Sequence, residues 1–357
     1  MAKLLRLAIF SLFEAPPTKV IPSKMYDVVT IGETMLRLSP PDSLRIEQAS
    51  QMSLHVGGSE SNTAAGLSRL GHRVAWLSRL TDNALGRKIA AAIAAHGVDT
   101  RHVIWTDQDR IGTYYYEPGS PPRDSHVIYD RGLSSYSRFS AEMLPEELFR
   151  SNQARFLHIT GISLGLGATN QSMIARSVKL AREAGWKVSF DVNYRAKLWS
   201  SSEAAEHCRP YLAGSDLVFL PIRDARTLFD AGKTLDQLQA HPERAAHGVL
   251  ESLAKQSAAA CIVLTLGRHG AAAWSHGQFY YCSTTPVEPV GRLGGGDAFS
   301  AGFLSCWLET GRADLSLRRG NAAARLKYSI PGDLPFFDRQ EVLRLETPSD
   351  QEPQHFR

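Results

Sequence analysis

Cysteine is scarce. Cys208, Cys261, Cys282 and Cys306 are the four in 357 residues, and no two of them form a C-x-x-C pair. This spacing excludes a disulfide framework and a zinc ribbon, and reads as reduced, buried thiols of a cytoplasmic protein. Long apolar runs are missing too: nothing approaches the eighteen or more residues of a membrane span. Neither sign of charge is in marked excess, with 40 Lys and Arg against 36 Asp and Glu. The basic residues are spread along the chain without aromatic interleaving, which argues against nucleic acid or a membrane surface as partner. The twelve histidines show no H-E-x-x-H or other tight metal spacing. No G-x-S-x-G occurs, and no G-x-G-x-x-G opens a helix after the first strand, so a hydrolase or a dinucleotide dehydrogenase finds little support.

What is present suits a large α/β domain. The chain is long enough to bury a full core, and 43% of it is apolar. Leu4 to Phe13 is apolar and follows a lysine, as in a signal peptide, but Arg6 interrupts it and no A-x-A-like site follows. Residues 1–24 are therefore read as an extension before a domain of residues 25–345, and 346–357 as a polar tail. Within the domain, strand-like and helix-like segments alternate. Tyr26 to Ile31, Val74 to Ser78, Phe156 to Ile159, Val188 to Phe190, Leu217 to Leu220 and Cys261 to Leu266 are strand candidates. Between and after them lie helical patterns: Ser59 to Leu70, Ala84 to His96, Gln171 to Ala184, Ile222 to Phe229, Pro242 to Ala254, Asp297 to Leu308 and Leu315 to Ile330. Such repetition predicts a mainly parallel sheet with helices on both faces, a three-layer α/β/α core. Two stretches, about 35–56 and 111–131, break the alternation with short extended patterns and predict a small antiparallel β flap.

The segment from Gly291 to Ser300 reads GRLGGGDAFS. Consecutive glycines let backbone N–H groups converge on one point, and the following helix adds the positive end of its dipole. An anion hole of that kind suits a phosphoryl group in transfer, with Asp297 placed to take a proton from an attacking hydroxyl. The same residues also suit a glycine turn with Asp297 as an ordinary N-cap. The segment alone leaves both readings open.

G-G-G-D-A-F-S-A-G-F resembles the carboxyl-terminal signature of the ribokinase-like (PfkB) carbohydrate kinases, G-A-G-D-A-F, with Gly295 for alanine. Val56-Gly57-Gly58-Ser59-Glu60-Ser61-Asn62-Thr63-Ala64, continuing to Leu70-Gly71, resembles that family's amino-terminal block. The resemblance spans Tyr26 to Leu343. It implies that Asp297 is the base and that Gly294, Gly295 and Gly296 form the anion hole. It further implies that Gly57, Gly58 and Asn62 hold substrate hydroxyls, that Thr265, Gly267, Gly270 and Asn321 lie along ATP, and that the flap is a lid. Mg2+ is implied as the nucleotide's metal, and a monovalent cation beside the anion hole is allowed. The family's N-x-x-E motif is replaced by Pro221, Ile222, Arg223 and Asp224, which keeps an acid for the metal but loses the amide. The run D-V-N-Y-R-x-x-L-W from Asp191, with Tyr129-Asp130-Arg131, is similar to 2-keto-3-deoxygluconate kinases. That implies a sugar acid held by Tyr114, Tyr129, Arg131 and Arg195, with the arginines near its carboxylate. Neutral-sugar or nucleoside kinases, and a sugar-binding regulator on the same fold, are the rival expectations. The extended strands of the lid offer edges for pairing, so a homodimer is expected.

Overall fold

The computed structural model describes residues 25–42, 44–231, 238–291 and 293–346. The expected amino-terminal extension and most of the polar tail lie outside the described residues.

The chain opens with β1 (Tyr26–Ile31), enters a small sheet through β2 (Met35–Ser39) and β3 (Ser53–Gly57), and continues into α1 (Ser59–Arg69). Next come β4 (Val74–Thr81), α2 (Ala84–Ala94) and β5 (Val103–Thr106), before β6 (Thr113–Glu117) and β7 (His126–Asp130) return to the small sheet. Then follow β8 (Ala154–Thr160), α3 (Gly161–Leu164), α4 (Ala168–Glu183), β9 (Lys187–Asp191) and α5 (Ser201–Gly214). β10 (Leu217–Pro221), α6 (Ile222–Phe229), α7 (Pro242–Ala254) and β11 (Cys261–Thr265) continue the alternation. The hairpin β12 (Ala271–Ser275) and β13 (Gln278–Cys282) leads to α8 (Gly295–Thr310), α9 (Ala313–Tyr328) and α10 (Arg339–Glu346).

The large sheet has the order β13-β12-β11-β10-β9-β8-β1-β4-β5. Its pairs are parallel from β11 to β5, while β12 and β13 add antiparallel strands at one edge. Neighbouring strand residues point to opposite faces, so each strand feeds two cores. Leu157, Val218 and Ile262 join the cluster of α4 to α7, including Met173, Cys208, Ala225 and Leu250. Phe156, Phe219 and Val263 join the opposite cluster with Ala65, Ile89, Phe303 and Leu317 of α1, α2, α8 and α9. The result is the expected three-layer α/β/α core.

The small sheet, β3-β2-β6-β7, departs from the antiparallel flap read from sequence. β2 and β6 run parallel, with Leu36 opposite Thr113, between two antiparallel pairs. The chain makes a long excursion through β3, α1, β4, α2 and β5 before β6, and such a crossover permits parallel pairing. Among the cysteines, three are buried and Cys282 is half-buried; all four are free thiols.

Candidate active site

The carboxyl ends of the parallel strands and the start of α8 meet at one edge, where ligands collect in open α/β sheets. α8 begins after Gly294, which adopts φ +75° and serves as N-cap without a side-chain cap. Asp297 is therefore the third helical residue, and its carboxylate caps nothing on its own helix. It points instead at α1: the Ser59 hydroxyl donates to Oδ1 at 2.7 Å and the Asn62 amide donates to Oδ2 at 2.7 Å. Asn193 in turn donates to Ser59 Oγ at 2.8 Å. Each carboxylate oxygen carries two lone pairs, so both keep capacity for another proton donor. Burial pushes the Asp297 carboxyl up from its ordinary range, opposed by the bonds from Ser59 and Asn62 and by the Arg195 charge. The first-turn amides of Gly295, Gly296 and Asp297 have no acceptor within the helix, and the dipole adds positive potential there.

Two of the three glycines are sterically required. A Cβ on Gly294 would lie 2.1 Å from the carbonyl oxygen of Asp333, and one on Gly295 would lie 2.4 Å from the Tyr328 ring. At Gly296 a Cβ would meet nothing within 4 Å among the described residues. The Tyr328 ring thus fills the space an alanine methyl would take at position 295, which accounts for this chain's departure from G-A-G-D. Overpacking at such a site costs about 1–3 kcal/mol. Gly295→Ala is expected to lower the urea midpoint correspondingly, and the same change should cost much less when it is made in a Tyr328→Ser background. An unchanged midpoint in the single variant would refute the steric account.

Other carboxylates crowd the same edge. Asp191, at the end of β9, is buried and accepts from the Asn193 amide at 3.1 Å. Burial, with the nearby charges of Asp297 and Asp224, pushes it up to about 8. Asp224 is buried in the first turn of α6, accepts from the Tyr194 amide at 3.2 Å and pairs with Arg223 at 2.9 Å. Its carboxyl is also raised, chiefly by burial.

The other expected contacts divide. Asn62 is engaged with Asp297, so it orients that carboxylate. Gly58 packs against the backbone: a Cβ there would lie 2.2 Å from the Glu33 carbonyl oxygen. A Cβ on Gly57 would lie 2.6 Å from Asp333 Oδ1. The Tyr114 hydroxyl donates to that same Oδ1, and its ring lies 5.9 Å from that of Tyr129. Arg131 is buried, with its guanidinium committed to Glu33, whose other oxygen accepts from Ser134. Arg195 is exposed, forms no ion pair among the described residues, and lies near enough to Asp297 and Asp191 to stabilise both charges. Thr265 ends β11, and Gly267 and Gly270 flank the following turn with φ +60° and +94°. Asn321 donates to the carbonyls of Cys282 at 3.1 Å and Ser283 at 3.3 Å, tying α9 to the end of β13.

Sequence reasoning assigned no role to Glu33, Arg37, Ser59, Asp191, Asn193, Lys327 or Asp333. Glu33 follows the first strand directly, and Ser59 lies one turn before Asn62, so both carried a positional signal. Between the small sheet and the core lies a cavity of about 500 Å³, lined among others by Tyr129, Arg131, Arg138, Thr169 and Lys197.

The pattern of the pfkB family carbohydrate kinases matches residues 25–334. The chain belongs to that family. A 2-dehydro-3-deoxygalactonokinase of Haloferax volcanii is 34% identical over 319 residues, 89% of this chain and 96% of the relative. A 2-dehydro-3-deoxygluconokinase of Bacillus subtilis is 30% identical over 320 residues, covering 89% and 94%. The crystal structure of a 2-dehydro-3-deoxygluconokinase from Thermotoga maritima superposes with a TM-score of 0.84 at 30% identity, covering 90% of this chain and 99% of that one. This pfkB member is accordingly a carbohydrate kinase, with a ribokinase-like core and a separate small sheet. Among the described residues, no helix is long and apolar enough to cross a membrane.

Proposed function

We propose that this kinase transfers the γ-phosphoryl group of ATP to the terminal hydroxyl of a 2-keto-3-deoxy sugar acid, with 2-keto-3-deoxygluconate and its 6-phosphate as substrate and product. The observation that carries the acid is Arg195. It is an exposed guanidinium without an ion-pair partner among the described residues, beside the buried Asp297. A carboxylate on the acceptor gives it a bidentate partner. Arg131, already neutralised by Glu33, instead shapes the wall beside Tyr129. The two relatives at 34% and 30% identity are named for acids of this type.

Asp297 takes the proton of the acceptor hydroxyl through a free lone pair, while Ser59 and Asn62 fix its orientation. A base whose pKa is lifted by burial accepts that proton more readily than an ordinary carboxylate. The amides of Gly295 to Asp297 meet the charge on the moving phosphoryl group, so positioning and electrostatics supply most of the rate. The small sheet acts as the lid that keeps water from competing as acceptor. Asp191 and Asp224 are the carboxylates that would face Mg2+. Both carboxyls are buried, and the charges of Asp297 and Asp224 also raise that of Asp191; one or two carboxylates with phosphates and water suit this ion. When bound, the ion neutralises charge on the phosphates. Exposed positions on β7, including Ile128, leave an edge through which two copies could pair their lids.

ADP formation measured with 2-keto-3-deoxygluconate, its galactonate epimer, fructose, ribose and adenosine tests the reading. A sugar acid is expected to give the highest kcat/KM, and Arg195→Ala to raise KM for that acid about tenfold or more while changing KM for ATP little. Selectivity for fructose or adenosine would overturn it.

A further inference from the structure

Lys327, near the end of α9, is completely buried and has no carboxylate as its hydrogen-bond partner among the described residues. Its ammonium donates to two backbone carbonyls beyond its own helix, Ile330 at 3.0 Å and Gly332 at 2.8 Å. A lysine near a helix end can serve as a plain C-cap. The setting of this one adds a second element. The turn it holds packs on the glycine loop: a Cβ on Gly294 would lie 2.1 Å from the Asp333 carbonyl and 3.2 Å from Lys327 Cε. The cation therefore sits behind the amides that receive the phosphoryl group, facing the charges of Asp333, Asp297 and Arg37. Backbone carbonyls converging on one point beside an anion hole are hard oxygen donors, the chemistry an alkali cation takes. Here that point is filled by the side chain.

We propose that Lys327 is a built-in cation for this anion hole, a positioning residue whose ammonium takes the place of a monovalent ion and makes turnover independent of one. Burial lowers its pKa to about 8, so it remains largely protonated at neutral pH. A tethered ammonium bridges the turn to the glycine loop without recruiting an ion from solution. It also adds positive potential where negative charge develops, which is where such charge has most effect. The proposal rests on phosphoryl transfer at Asp297 and not on which sugar acid is the acceptor.

The test compares wild type with Lys327→Met and Lys327→Arg in tetramethylammonium, sodium, potassium and ammonium chlorides. Ionic strength is held at about 0.1 M so that screening is constant. Wild type is expected to turn over equally in all four. K327M should lose about tenfold or more of kcat in tetramethylammonium and recover it saturably with potassium or ammonium, whereas K327R needs neither. Melting temperatures with a non-hydrolysable ATP analogue supply a readout without any sugar. Potassium should raise the value for K327M and leave wild type unchanged, so a wrong acceptor assignment does not obscure the outcome. Strong potassium activation of wild type overturns the proposal. So does a K327M that is fully active without a cation, or a folded K327M that no cation restores. If K327M does not fold, wild type and K327R decide by the same criteria.

Discussion

Asp297→Asn is expected to lower kcat by about 10³-fold, within the range that a positioned general base contributes. The hydrogen-bond scheme around it survives the change. An asparagine carbonyl can accept from Asn62, and its amide can donate to Ser59 Oγ, a hydroxyl able to accept. The fold and the affinity for the sugar should therefore hold, and the loss should appear in kcat rather than KM, marking an interaction realised in the transition state. The pH profile is a second observable. Burial raises the Asp297 carboxyl, so the acidic limb of wild-type kcat/KM should lie above the ordinary carboxylate range and disappear in the variant. A variant within tenfold of wild-type kcat would remove Asp297 from the role of base.

The central layers are readable from sequence because the buried strands are short, largely apolar runs and several helices stop close to a glycine, as α1 does before Gly71 and α8 before Gly311. The antiparallel hairpin is not readable in that way. β12 is AAAWS, and three alanines carry little strand propensity; they are buried where α7 and α9 pack beside the strand. α5 also escapes the periodic reading, with Pro210 in its interior, although Ser200 and Glu203 form a capping box at its start. The parallel pairing of β2 and β6 joins residues far apart in sequence, and local pattern has no access to it. Around Asp297, the glycine run and the Asn62 block are legible because their spacing is local. The charged pairs are not. Glu33 and Arg131, or Arg37 and Asp333, look like solvated surface charges until the fold buries them against each other. That burial also divides the arginines, which look equivalent in sequence: Arg131 is neutralised, while Arg195 remains exposed.

The larger structural effect is expected at Asp333. Its carboxylate pairs with Arg37 Nε at 2.8 Å and accepts from Tyr114, so it holds β2 and β6 of the small sheet against the turn after α9. Asp333→Asn removes one charge from a buried pair and leaves Arg37, itself buried, with the Ser39 hydroxyl at 2.9 Å and the Tyr116 ring 5.5 Å away. Removing one partner of such a pair costs about 3–5 kcal/mol, since an uncompensated charge stays in the interior. The loss should fall first on the small sheet, whose opening then precedes global unfolding. Hydrogen exchange is expected to speed up in β2 and β6 before it does so in β8 or β9, with KM for the acceptor raised and ATP hydrolysis without acceptor increased. Replacing both partners with apolar groups, Arg37→Met with Asp333→Leu, should recover part of the stability because Arg37 no longer stands as an unpaired buried charge. It should not recover the tie between the small sheet and the turn behind Gly294, since a leucine at 333 offers Tyr114 no acceptor. If D333N unfolds within about 1 kcal/mol of wild type and exchanges at the same rate, Asp333 does not fasten the small sheet. The backbone of the same residue lies against the glycine loop, where its carbonyl oxygen would be 2.1 Å from a Cβ on Gly294, so loosening the small sheet in D333N is expected to disturb that loop and to lower kcat as well as raise KM.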